Sequence, residues 1–221
     1  MSAPRVAALL VTAALVTVGC ANLVSGSPTW PGDRIEHAAL NADDFPPGVA
    51  YDRVDREQRT PDGSGGPPAM LSKPHGCADG LTKVIAATAE RGAGSAAEYV
   101  VGYDGARILV TVLSWPLDLE ALDAEAQRCA RFETFFDTAS PGIPMTTTRL
   151  DTSRQETLAY QQTMTLGGGE NSVYLWFANA GTSAVFAVAF PTPNPTIAVK
   201  AALPQTFLDI AAKQTDRLGD R

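Results

Sequence analysis

The stretch from Thr146 to Phe190 constrains the fold more than any other. Four runs, Thr146 to Leu150, Glu156 to Leu166, Ser172 to Ala178 and Ala184 to Phe190, are dominated by β-branched and aromatic residues. Turn signals separate them, Gly167-Gly168-Gly169 and Asn179 to Gly181 among them. Runs of this kind at close spacing predict an antiparallel meander. In the third run Val173, Leu175 and Phe177 share one face while Tyr174 and Trp176 share the other; in the fourth, Phe186, Val188 and Phe190 alternate with Val185 and Ala187. The two-residue period makes both faces of the meander partly apolar.

Upstream the period changes. Ala38-Ala39-Leu40 and the turn residues Asp43 to Gly48 read as a short opening segment, and Arg59 to Pro68, rich in Gly and Pro, as a mobile loop. Cys77, Leu81, Val84, Ile85 and Thr88 fall at helical spacing before Gly92 and Gly94, which predicts a helix over Gly76 to Arg91. Strands at Glu98 to Tyr103 and Arg107 to Trp115 flank the hairpin signal Asp104-Gly105. Asp118 then caps a helix with Leu119, Leu122, Ala126, Cys129 and Phe132 on one face. Asn194-Pro195 has the form of a helix start, and a last helix near Pro204 carries Phe207, Leu208, Ile210 and Ala211. The order predicts an α+β domain: a mostly antiparallel sheet of about five to seven strands with helices packed on one face.

The amino terminus reads as an export signal. Arg5 precedes an apolar run from Val6 to Val18, and Gly19 precedes Cys20. The run is too short to span a bilayer, which takes roughly 20 residues. Thr17-Val18-Gly19-Cys20 resembles the lipobox of bacterial lipoproteins, with Thr17 where leucine is usual. The resemblance implies cleavage before Cys20 and lipidation of that cysteine, a durable anchor when more than one acyl chain is attached. The expected organisation is a signal peptide over residues 1–19, a lipidated tether over 20–33 and one globular domain over 34–221. Outside the cytoplasm, Cys77 and Cys129 are an even pair for which a disulfide is the default. Such a widely spaced bond stabilises a fold by about 4 kcal/mol.

This arrangement, a lipobox together with inward cysteines on the first two helices, resembles the mycobacterial lipoproteins related to the extracellular sensor domain of a serine/threonine kinase. Sensor domains of that type usually carry two disulfides, whereas this chain has cysteines for one. The resemblance covers about Leu40 to Leu218 and implies a domain with a central cleft for a small ligand.

The residues offer little for catalysis. A net charge of −7 and the lack of a Lys/Arg block argue against nucleic acid as a partner. Asp62-Gly63-Ser64-Gly65-Gly66 lacks the leading glycine of a nucleophile elbow. His37 and His75 lack the spacing of a zinc hydrolase, so no metal and no cofactor are expected. Pairing His75 with Cys77 for thiol chemistry would require a free thiolate. Asp118, Glu120, Asp123 and Glu125 read as a cap and a solvated helix face.

The aromatic set Trp115, Tyr160, Tyr174 and Trp176 remains. On the sheet face opposite the helices it would suit a ligand cleft or partner surface; the alternative is that it completes the core. The expectation is a noncatalytic sensor-like lipoprotein on the extracytoplasmic face of the cell membrane, binding a small or lipidic ligand. The competing reading is a protein-interaction module that regulates a cell-envelope partner. A deep closed pocket would favour the first and an exposed apolar patch the second.

Overall fold

The computed structural model describes residues 31–54, 70–88, 94–137 and 139–219, with backbone alone for 31–33. Cys20, the signal peptide and the Arg59 to Pro68 loop lie outside the described residues. Within them the strands are β1 (Ala50–Arg53), β2 (Leu71–Lys73), β3 (Ala96–Tyr103), β4 (Gly105–Leu113), β5 (Arg131–Phe135), β6 (Ile143–Leu150), β7 (Thr157–Leu166), β8 (Gly169–Ala180) and β9 (Ser183–Thr192). The helices are α1 (Pro31–Ala38), α2 (Gly80–Thr88), α3 (Leu119–Arg128) and α4 (Gln205–Gly219). All strands join one sheet in the order β1-β3-β4-β9-β8-β7-β6-β5-β2, every pairing antiparallel.

The hairpin turns follow local chemistry. Gly167 and Gly168 both have positive φ, 62° and 80°, as a two-residue turn between β7 and β8 requires. Gly105, at φ 98°, serves the β3–β4 turn in the same way.

Nine strands replace the expected five to seven. The additions are β1, β2 and β5, with only 3 to 5 residues each. β1 and β2 are edge strands whose short sequences carry no alternation of their own and exist through pairing with β3 and β5. β5 was hidden because Phe132 continues the helical spacing of α3. The helix instead ends at its C-cap, Cys129, and Phe132 pairs with Met145. At the other boundary, α1 begins at Pro31, inside the segment expected to be tether.

Helices pack on both sides of the sheet, not on one. On the first face α1 and α4 cover Tyr99, Val101, Ile108, Val110, Trp176 and Ala187, joined by Ile35 and Phe207. On the second face α2 and α3 cover Leu113, Leu158, Tyr160, Phe177 and Ala184, with Leu122 and Ala126 at the centre. The reason is the two-sided apolarity of β4, β8 and β9: a single layer of helices would leave half of those side chains in water.

Polar groups fix how the helices sit. Gln214 of α4, fully buried, accepts from Leu40 N (2.9 Å) and from the Tyr99 hydroxyl (3.0 Å), and donates to the Ala38 carbonyl (2.9 Å). Arg217 donates to both carboxylate oxygens of Asp44. Burial pushes the Asp44 pKa up, but Arg217 and the Asn41 backbone N–H outweigh it and hold the carboxyl below its ordinary value. Cys77 and Cys129 form a disulfide with Cα atoms 5.5 Å apart. It ties the turn before α2 to the C-cap of α3, so the staple is turn-to-cap, not helix-to-helix.

Candidate functional site

The four aromatic residues singled out in the sequence do not come together. Trp115 and Tyr160 pack on the second face beneath α2 and α3; Tyr174 and Trp176 pack on the first face beneath α4. Trp176 donates its indole N–H to Thr215 Oγ1 at 3.2 Å, Tyr174 sits 6.3 Å from the Phe207 ring, and the Tyr160 hydroxyl donates to Asp123 Oδ1 at 2.6 Å. Burial, followed by that bond to Asp123, raises the Tyr160 pKa and keeps the hydroxyl a donor. Trp115 differs: its indole N–H is buried without a hydrogen-bond partner among the described residues.

Among the described residues, the part of the sheet that no helix covers lies on the second face beyond α2 and α3. The register puts Asp52, Val100, Gly102, Arg107, Leu109 and Val188 on this face. Val100, Leu109 and Val173 are half-buried and lie outside the clusters that the helices complete. Next to this strip the surface sinks into a depression of about 280 Å³ lined by Asp52, Val100, Gly102, Arg107, Asn194 and Ile197. Its floor is small and apolar; Asp52 and Arg107 stand exposed at its sides, and among the described residues neither forms an ion pair.

One loop builds the depression. Asn194-Pro195 does not start a helix: the Asn194 side chain accepts from Thr196 N at 3.2 Å and Thr196 Oγ1 at 2.6 Å, closing a local turn. The β3–β4 turn residue Asp104 holds that loop through its carboxylate to Asn194 N (3.0 Å), its N–H to the Val199 carbonyl (2.9 Å) and its carbonyl to Ala201 N (2.9 Å). Gly102 then lets the loop close down, because a Cβ there would meet Ile197 Cδ1 and Ala50 Cβ at 3.3 Å each. Nothing local in the sequence marks Arg107, Gly102 or Ile197 as a group, since they meet only through the register and this loop.

The arrangement suits binding of an amphipathic group: a guanidinium for an anionic or polar head, and an apolar strip beside it. His75 is exposed, its carbonyl accepting from Arg128 Nη1 at 3.2 Å, and Cys77 beside it is consumed in the disulfide. Among the described residues no group of three or more His, Cys, Asp or Glu is placed to hold a metal, and no helix is long and apolar enough to cross a membrane.

No family model and no curated protein matches the chain. Among solved structures, the fold is similar to that of an uncharacterized protein from Mycobacterium smegmatis, with 14% sequence identity and a TM-score of 0.48 over 84% of this chain and 96% of that one. The likeness to kinase sensor domains is not among these findings.

Proposed function

We propose that the chain is an extracytoplasmic lipoprotein, anchored to the cell membrane through Cys20, whose domain binds a small or lipidic ligand without transforming it. The observation that carries the binding reading is the half-buried strip of Val100, Leu109 and Val173 beside Arg107, which forms no ion pair among the described residues. The site is an open depression, not a closed cavity. It therefore fits a ligand held along the surface, with its polar head at Arg107 and an apolar chain on the strip. The disulfide agrees with an oxidising compartment, and the Val6 to Cys20 sequence supports the anchor.

Two measurements test this. Cys20→Ala is expected to move the protein from the membrane to the soluble fraction of the envelope; unchanged membrane retention would sink the anchor. Native mass spectrometry of the unanchored chain, purified from an envelope extract, is expected to show a small-molecule adduct. Arg107→Ala should weaken that adduct about tenfold by removing the charged donor. A clean protein mass in both variants would turn the assignment to the protein-interaction reading.

A further inference from the structure

Five large apolar side chains stand exposed among the described residues: Met70, Leu71, Phe136, Leu166 and Phe190. The pairing Leu71↔Phe135, Thr134↔Ile143 and Met145↔Met164 brings the first four to one corner of the sheet. Met70 and Leu71 stand at the start of β2, Phe136 just past the end of β5, and Leu166 at the last position of β7, beside the Gly167-Gly168 turn. Phe136 is 73% exposed and Leu166 51%. Behind them Met145 and Met164 face each other half-buried, so the methionines beyond Met1 all gather here. Unbranched thioether side chains adapt to irregular apolar surroundings, and a patch of this kind on a soluble surface marks a contact site.

We propose that this corner docks on the lipid surface of the same membrane that carries the anchor, an inference that rests on the Cys20 tether. Apolar residues on protruding tips can enter the boundary between headgroups and acyl chains, roughly 5 to 10 Å deep, without a shaped partner.

The tether makes one pose reachable. α1 packs against β3 and β4, second and third in the sheet, while β2 is at the far edge. With that edge turned to the bilayer, the start of α1 stands about 30 Å above it. Residues 20–30 extend to at most about 38 Å, enough to connect the two. An upright pose exceeds that reach. Arg34 binds Ser183 at the opposite end of the strands, and β8 alone is 12 residues long, about 40 Å. Tethering raises the local concentration of lipid at the corner, so weak intrinsic affinity suffices.

The test uses the chain from residue 20 with Cys20→Ala, which lacks any acyl chain, in co-flotation with phosphatidylcholine vesicles at millimolar lipid. A measurable fraction is expected to float. Phe136→Ser combined with Leu166→Ser should lower that fraction about tenfold, with an unchanged thermal midpoint showing that the fold is intact. No flotation of the starting protein would overturn the proposal and leave the corner to a protein partner; flotation undiminished in the double variant would overturn it as well. Since every protein in this assay lacks the anchor, the anchor itself stands or falls separately, on the fractionation of Cys20→Ala.

Discussion

Gln214→Leu is expected to destabilise the domain by about 4 kcal/mol, because it strands several buried polar groups at once. The wild-type side chain is fully buried and answers the Leu40 N–H, the Ala38 carbonyl and the Tyr99 hydroxyl together. Leucine fills a similar volume, so the loss comes from hydrogen bonding and not from a cavity. Each stranded group costs about 1 to 3 kcal/mol, part of it recovered by relaxation. The Tyr99 hydroxyl cannot escape by ionising, since burial drives its pKa far above the ordinary phenol value. Chemical denaturation should show the midpoint falling with an unchanged slope. The exposed Gln205→Ala, which loses only a bond to Asp209, should stay within about 0.5 kcal/mol of wild type. A Gln214→Leu variant as stable as that control would show that the contact does not organise the junction of α1, β3 and α4.

That junction shows what a linear reading misses. The meander from β6 to β9, the β3–β4 hairpin and the cap of α3 are local: each rests on a two-residue period, a glycine turn or a side chain three residues from its acceptor. They were legible for that reason. β1 and β2 are too short to carry a period, and β5 borrowed its apolar residue from the end of a helical pattern. Helical spacing told that α2, α3 and α4 each have an apolar face, but not which side of the sheet each face meets.

The site was less legible than the fold. Tyr174 and Trp176 share a face by simple alternation, yet relating them to Trp115 or Tyr160 needs the register across β9, β8 and β7, and a one-residue shift reverses the answer. The observed register sets Tyr160 opposite Leu175 and so away from Tyr174 and Trp176, while Trp115, past the end of β4, joins Tyr160 in the second-face cluster. At Asn194 two local signals competed: a helix cap followed by proline, and an Asn side chain turning back on its own backbone. The second won because Asp104 holds the loop against the β3–β4 turn, a contact about 90 residues distant in sequence. Arg107 resembled an ordinary strand residue until Gly102 and Ile197 framed it.

Replacing both Cys77 and Cys129 by alanine is expected to cost a similar amount, about 4 kcal/mol, by a different route. The bond closes a loop with a sequence separation of 52, and the chain-entropy relation gives about 4 kcal/mol for a loop of that size. For a domain of this length that corresponds to a fall in thermal midpoint of about 10 °C. The loss should also be uneven. α2 has 9 residues, and its Leu81, Val84 and Ile85 are only partly buried against the second-face cluster, so little besides the bond and α3 holds it. α4 has 15 residues, and Phe207, Ile210, Ala211 and Leu218 are buried on the other face. Hydrogen exchange in the double variant should therefore rise in α2 by far more than in α4, while the most protected amides of β4, β8 and β9 lose only what the global fall in stability removes. Uniform acceleration across both faces would mean that the bond acts only on the unfolded chain, and an unchanged midpoint would mean that it contributes nothing to the fold.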